Sequence, residues 1–151
     1  MLYEGKEMDR YEEAVLDYIT ADRNRFISPQ FHVPYEMQQG GSDPDFLVID
    51  YRKKTIYVVE VTSSSNISGL IAKVEQRESR WLEPIKRHLS GINKEFEQWP
   101  YRVTIFVREE NLELAKKKMK LYKDVSVRTI ESSTFPYKWQ WNGEEPINPL
   151  E

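Results

Sequence analysis

The fold is decided by residues 41–62, which read GSDPDFLVIDYRKKTIYVVEVT. This stretch begins with the strongest turn signal of the chain, in which Gly, Ser, Asp and Pro follow one another. Two apolar, β-branched runs follow at 46–51 and 55–62, and the polar turn 52–54 separates them. Because neither run alternates apolar with polar residues, the pattern predicts a β-hairpin that is buried on both faces.

Two acidic residues occupy positions in this hairpin where apolar residues are expected. Glu60 interrupts the second run, and Asp45 stands at the start of the first. A buried, unpaired carboxylate is costly and tends to protonate, so it usually has a metal ion, a base or a hydrogen-bond network as its partner. Because side chains alternate along a strand, an Arg52-Lys53 turn places Asp45 directly opposite Glu60. A Lys53-Lys54 turn makes the two acids diagonal neighbours on one face, and an odd-length loop separates them.

The composition limits the chemistry that is available to the chain. It has 151 residues, a formal net charge of -3, 13% aromatic residues, no cysteine and two histidines. Disulfides, thiolate zinc sites, iron–sulfur clusters and cysteine nucleophiles are therefore excluded, and a His-rich metal site is disfavoured. No apolar run approaches the roughly 18 residues that a membrane helix needs, and the first residues lack the order of a signal peptide. We expect a soluble, cytoplasmic protein without a membrane partner.

Apolar periodicity predicts the remaining elements. They are, in order, helix 8–23, strand 31–37, helix 68–89, strand 103–107, helix 112–122 and strand 125–130. Residues 24–29 are predicted to form a loop, and Pro84 predicts a kink or a break in the second helix. The order α-β-β-β-α-β-α-β predicts an α/β fold with a central mixed sheet flanked by helices. We expect one domain over 1–151, with its core at about 8–130 and an aromatic C-terminal tail at 131–151.

Two carboxylates on one face, without His or Cys beside them, form a hard oxygen site. Such a site suits Mg²⁺ or Mn²⁺ rather than Zn²⁺. These ions activate water and neutralise the charge that builds on a phosphate. Simpler interpretations stay open, because Asp43-Pro44-Asp45 is also a common turn composition and Glu60 can pair with a basic residue of the long helix.

Residues 41–46, with Asp45 fifteen positions before Glu60 across a hairpin, resemble the core motif of the PD-(D/E)xK nucleases. The resemblance implies a restriction-endonuclease-like fold with an αβββαβ core, which the predicted elements match over roughly 8–107. In that family the Asp and the Glu bind a divalent metal ion, and the backbone carbonyl of the next residue, here Val61, is a usual extra ligand.

Three further features follow from the resemblance. An acidic residue of the first helix often joins the metal ligands, which implies Glu12 or Glu13; charged residues on a solvated helix face are the simpler interpretation of both. The family motif has Lys two residues after the Glu, whereas this chain has Thr62. Lys73 of the following helix is the best replacement for that lysine, and the Thr62 hydroxyl would help to hold water.

A polar stripe continues along the same helix, on the side opposite Val74, Trp81 and Ile85. It consists of Lys73, Gln76, Arg77, Arg80 and Arg87. We expect the stripe to contact a nucleic-acid backbone, although a solvated helix face is the default interpretation of such residues.

The sequence therefore predicts a metal-dependent nuclease that uses Mg²⁺ or Mn²⁺ to hydrolyse phosphodiester bonds in nucleic acid, with DNA expected before RNA. The family resemblance also implies a homodimer as one assembly. The alternative is a catalytically degenerate nuclease-fold module that binds nucleic acid or a protein partner, and Thr62 is its main support. A weaker alternative is a metal-free interaction protein that uses the aromatic tail.

Overall fold

The computed structural model describes residues 8–20, 25–29, 31–134 and 150–151. Within these ranges the helices and strands are, in chain order, α1 (Arg10–Thr20), β1 (Arg25–Pro29), β2 (Val33–Pro34), β3 (Gly41–Ser42), β4 (Phe46–Asp50), β5 (Thr55–Val61), α2 (Ser68–Glu75), α3 (Glu83–Ile92), β6 (Tyr101–Val107), α4 (Leu112–Met119) and β7 (Val125–Thr129). A π-helical turn, Glu78–Leu82, joins α2 to α3, and single 3₁₀ turns cover Lys94–Glu97, Glu109–Asn111 and Glu131–Thr134.

The main sheet has five strands in the order β1-β4-β5-β6-β7. The strands β1, β4 and β5 are antiparallel neighbours, whereas β5, β6 and β7 run parallel. Each parallel connection contains helices, because a parallel neighbour can be reached only by a long crossover. The predicted α/β class with a central mixed sheet is confirmed.

The central hairpin has the predicted register. Every residue of β4 is buried, as is every residue of β5 up to Glu60. Phe46 pairs with Val59, and the four-residue turn 51–54 contains Lys54 in the left-handed conformation with a φ of 51°. Because the turn has an even number of residues, Asp45 comes opposite Glu60, as the Arg52-Lys53 turn predicts.

The sheet separates two apolar cores. On one face, Leu47 and Val58 pack with the aromatic and aliphatic side chains of the π turn and α3, such as Trp81. On the other face, Phe46 and Tyr57 pack against α1. Since side chains alternate along a strand, Asp45 and Glu60 belong to the face that carries α2 and α3.

Two predicted elements before the hairpin are wrong. Residues 25–29, predicted as a loop, form the edge strand β1, because β4 supplies an antiparallel partner from Arg25 to Pro29. Residues 31–37, predicted as a strand of the sheet, contribute only Val33 and Pro34, and these pair with Gly41 and Ser42 in a separate ribbon.

The long predicted helix breaks, as Pro84 indicates. Pro84 lies in the first turn of α3, where its missing N–H removes no helical hydrogen bond. The other predicted helices and strands are confirmed with ends that differ by a few residues, except that residues 21–23 of the first helix lie outside the described residues.

The predicted aromatic tail falls mostly outside the described residues, which omit 135–149. Its last two residues pack on the α1 face of the sheet. Leu150 is fully buried there, and the Tyr57 hydroxyl donates to Glu151 Oε1 at 2.8 Å. Within the described ranges, no helix is both long and apolar enough to span a bilayer.

Candidate metal centre

The Asp45 and Glu60 carboxylates each accept a hydrogen bond from a backbone amide across the hairpin. The Val61 amide donates to Asp45 Oδ2 at 2.8 Å, and the Asp45 amide donates to Glu60 Oε2 at 3.3 Å. Glu60 is only 6% exposed. The register of the hairpin therefore fixes both carboxylates on one face at the carboxyl end of β5.

The electrostatics of this pair favour a positive charge beside it. Burial raises the pKa of Glu60 well above its ordinary value, and the neighbouring Asp45 carboxyl raises this pKa further. The Lys73 ammonium and the Asp45 amide lower the pKa of Glu60, but these effects are smaller. A buried carboxylate beside a second carboxylate is stable with a shared proton or with a cation between the two.

A small polar cavity adjoins Glu60. Its volume is about 30 Å³, and its lining is Tyr35, Gly41, Asp43, Glu60, Lys73, Arg80 and Trp81. A cavity needs only about 10–15 Å³ of such volume to hold one water, so a cation or a water fits. Tyr35, Asp43 and Glu60 supply oxygen atoms to this space, Lys73 and Arg80 supply positive charge, and Asp45 is not part of its lining.

The structure brings Lys73 to the pair. Lys73 lies near the end of α2, is exposed, lines the cavity together with Glu60, and acts on the pKa of Glu60 through its charge. Lys73, the predicted replacement for a lysine at position 62, therefore lies beside Glu60. Thr62 itself shapes the loop after β5, because its Oγ1 accepts the Ser64 amide at 3.3 Å.

The acidic residues of α1 are not part of this group. Glu12 is buried, its amide donates to Asp9 Oδ1 at 2.8 Å, and Glu13 is exposed. In the part of the chain that the structure describes, no three His, Cys, Asp or Glu side chains are arranged to hold a metal ion. Because α1 covers the opposite face of the sheet, the carboxylates near the cavity are the Asp45–Glu60 pair and Asp43, which lines the cavity with Glu60.

The predicted basic stripe does not form one surface. Arg77 turns away from the cavity and makes a bidentate ion pair with Asp124, at 2.7 and 2.8 Å, while its guanidinium stacks 4.3 Å from the Tyr122 ring. This pair raises the pKa of Arg77 and lowers that of Asp124. Arg77 therefore ties α2 to the segment before β7.

The other members of the stripe also diverge. Arg87 Nε lies 3.1 Å from Glu36 Oε1, and the same guanidinium donates to the Pro34 carbonyl at 2.9 Å. Gln76 is exposed at the end of α2, whereas Arg80 lines the cavity. The stripe separates because the π-helical turn changes the phase between α2 and α3.

The sequence did not predict that the β2–β3 ribbon forms one wall of the cavity. The Tyr35 hydroxyl donates to the Arg80 carbonyl at 3.2 Å and links the ribbon to the π turn. A Cβ at Gly41 would lie 2.5 Å from the His32 ring and 2.6 Å from the Val33 carbonyl oxygen, so only glycine fits. The Gly40-Gly41 pair was the available signal.

These contacts define a site made of a carboxylate pair, a lysine and a glycine-bearing ribbon. No known family model matches the chain, and no curated protein matches it either.

Proposed function

We propose that this protein is a metal-dependent nuclease of the PD-(D/E)xK type, which hydrolyses phosphodiester bonds in nucleic acid. The observation that carries the proposal is the pairing of the buried Glu60 with the partly buried Asp45, with Lys73 of the next helix beside Glu60. The order of the elements supports it, because α1, β1, β4, β5, the α2–α3 unit and β6 follow the αβββαβ order. The β2–β3 ribbon is then an insertion within that order.

Asp45, Glu60 and the Val61 carbonyl would hold Mg²⁺ or Mn²⁺. Two carboxylates suffice for Mg²⁺, since this ion usually keeps several waters and takes further oxygens from substrate phosphates. When bound, the ion supplies positive charge to the phosphate oxygens and to the attacking water. The raised pKa of Glu60 fits this role, because a cation beside the pair offsets the burial and the like charge that raise this pKa.

The side chains of this chain then have separate tasks. Asp45 and Glu60 are preorganised by the two backbone amides that they accept, so binding requires little rearrangement. Lys73 donates to the attacking water or to a phosphate oxygen and stabilises the transition state by its charge. Its exposure allows it to reach a substrate outside the cavity.

Cleavage assays test the proposal. Single-stranded, double-stranded and branched DNA, and RNA, are incubated with Mg²⁺ or Mn²⁺ and with wild type, Asp45→Asn, Glu60→Gln or the matched control Glu13→Gln. We expect wild type and Glu13→Gln to cleave at least one substrate, and the two other variants to lose cleavage while they remain folded. Equal cleavage by all four proteins, or none by folded wild type that has bound metal, contradicts the proposal.

A catalytically degenerate module is the second candidate function. Two observations favour it, namely Thr62 in place of the family lysine and the lack of a third acidic ligand among the described residues. Such a module binds nucleic acid or a protein partner without cleavage, so folded, metal-loaded wild type that binds nucleic acid and cleaves none would support it.

A further inference from the structure

An open pocket lies on the edge of the sheet where β6 and β7 end. Its volume is about 400 Å³, and its lining consists of Arg10, Tyr11, Ala14, Arg108, Ile130 and Glu131. Arg10 and Tyr11 come from the first turn of α1, whereas Arg108 and Ile130 directly follow β6 and β7. The pocket is therefore made by three segments that meet at one edge of the fold.

Two guanidinium groups converge on one tyrosine ring in this pocket. The Arg10 guanidinium carbon lies 5.0 Å from the centre of the Tyr11 ring, and that of Arg108 lies 5.9 Å from it. Arg10 Nη2 also donates to the Tyr11 hydroxyl at 3.0 Å. Both arginines lower the pKa of Tyr11, which shows that their positive charges act at the same point.

The pocket has an excess of positive charge. Neither Arg10 nor Arg108 forms an ion pair with a carboxylate inside the described ranges. Glu131 is the acidic residue of the lining, and its Oε2 accepts the Glu109 amide at 2.8 Å, so it holds the 3₁₀ turn after β6. A ligand of this pocket would meet two guanidiniums and a phenol.

The pocket and the candidate metal centre lie at the same edge of the sheet but on opposite faces, because α1 covers the face that points away from Asp45 and Glu60. Since β5, β6 and β7 are parallel, their carboxyl ends meet there. Val61 is in register with Phe106, and Arg108 is two residues further, so their Cα atoms are roughly 8 Å apart by strand spacing and rise. Asn111 Nδ2 donates to the Ser64 carbonyl at 3.2 Å and ties the two loops of this edge together.

We propose that this Arg10–Tyr11–Arg108 pocket binds a phosphate group of a nucleic-acid strand that crosses this edge of the sheet from the Asp45–Glu60 pair. The inference rests on the proposed function and adds to it a second anchoring point for the substrate. Guanidinium groups match phosphate by charge and by geometry. Cationic grooves with aromatic side chains are typical of sites that hold single strands. The ligand is either a terminal phosphate or an internal phosphodiester.

Binding without cleavage tests the proposal. Fluorescent single-stranded oligonucleotides that end in a 5′-phosphate, a 3′-phosphate or hydroxyls are titrated in EDTA against wild type, Arg10→Gln/Arg108→Gln and the control Arg52→Gln. Arg52 is exposed in the turn between β4 and β5, at the opposite end of the hairpin.

We expect the double variant to bind at least about tenfold more weakly, since each lost contact is a charge-assisted hydrogen bond. The slope of log K against log salt should fall by about 0.7, which corresponds to one single-strand phosphate contact. Arg52→Gln should bind like wild type. A preference for one phosphorylated end that the double variant abolishes assigns a terminal phosphate, and an equal loss on all oligonucleotides assigns an internal one.

Unchanged affinity and salt slope in the double variant, or an equal loss in Arg52→Gln, overturns the inference. NMR of wild type serves where the double variant does not fold, because titration with an oligonucleotide should shift the Nε–H signals of Arg10 and Arg108. An absence of such shifts overturns the inference as well. Because the binding experiments use EDTA, their outcome does not depend on cleavage. If the double variant loses binding but wild type shows no cleavage with metal, only the nuclease proposal is contradicted. If wild type cleaves but the double variant binds like wild type, only the phosphate pocket is contradicted.

Discussion

The β4–β5 hairpin has a buried acidic residue at each of its ends, and the partners of these two acids differ. At the turn end, Asp50 is 2% exposed and lies 3.2 Å from Arg25 Nε of the edge strand, while its other oxygen accepts the Lys53 amide at 2.9 Å. At the open end, Glu60 accepts the Asp45 amide and Asp45 accepts the Val61 amide, so the two carboxylates lie side by side.

This difference indicates which acid is structural and which is available for chemistry. Asp50 has a cation supplied by the fold, and both side chains of that ion pair are equally buried. The Asp45–Glu60 pair has Lys73 nearby. The charge of Lys73 lowers the pKa of Glu60, but burial and the Asp45 carboxyl raise this pKa by more. A further cation is therefore favoured at the open end and is unnecessary at the turn end.

Removing the cation at the turn end should have the largest effect on stability. Arg25→Met leaves Asp50 buried without its charge partner, and we expect the free energy of unfolding to fall by about 3–5 kcal/mol. Urea denaturation at neutral pH measures this change. Arg25→Met/Asp50→Leu, which removes both charges, should recover most of the loss. A loss below about 1 kcal/mol in the single variant would show that the ion pair is not structural.

A half-exposed ion pair should have a smaller effect. The side chains of Arg77 and Asp124 are 17% and 33% exposed, so we expect Arg77→Gln to lower the free energy of unfolding by about 1 kcal/mol. Nucleic-acid affinity should stay unchanged, because the guanidinium is engaged within the fold. The free energy of unfolding and the nucleic-acid affinity of Arg80→Gln are measured for comparison, since Arg80 lines the cavity. A clear loss of affinity in Arg77→Gln with unchanged stability would reassign Arg77 to the nucleic-acid interface.

Removing charge at the open end should stabilise the metal-free protein. The pKa of Glu60 is higher in the folded than in the unfolded chain, so the folded state binds its proton more tightly. The resulting cost is absent at pH values below the ordinary pKa of Glu, grows as the pH rises, and is complete above the raised pKa. Glu60→Gln removes this cost.

We therefore expect Glu60→Gln to raise Tm at neutral pH in EDTA, by roughly 2–4 °C for each kcal/mol relieved. The difference from wild type should vanish as the pH falls toward the ordinary range of Glu. Calorimetry at several pH values measures it, with Glu13→Gln as the exposed control. A lower Tm at neutral pH would show that Glu60 is a satisfied structural acid like Asp50.

The smallest expected effect concerns the lysine beside the pair. Lys73→Met should raise the pKa of Glu60 further, because a cation that favours the carboxylate is removed. Carbon-13 NMR of the carboxyl signals measures this shift, and Lys118→Met, on the exposed face of α4, is the matched control. An unchanged pKa of Glu60 in Lys73→Met would separate Lys73 from the site.

Local pattern predicted the hairpin and its two acids, because two apolar runs flank a short polar turn. It left the register open between an Arg52-Lys53 turn, a Lys53-Lys54 turn and an odd-length loop, and the pairing of β4 with β5 decides for the first. The edge strand β1 was missed, since its pairing depends on β4 rather than on its own residues. The partners of Arg77 and Arg87 were missed for a similar reason. Asp124 is distant in sequence, and the π-helical turn that redirects these side chains leaves no periodic signal. The cavity wall of Tyr35 and Gly41 likewise required the ribbon.

The assignment of a metal centre is tested most directly by a calorimetric titration of Mn²⁺ at neutral pH into wild type, Asp45→Asn and Glu60→Gln. We expect one site for each wild-type chain, proton release on binding, and no binding at that site in either variant. Equal binding by all three proteins, or no binding by folded wild type at millimolar Mn²⁺, would contradict the assignment of Asp45 and Glu60 as a metal centre.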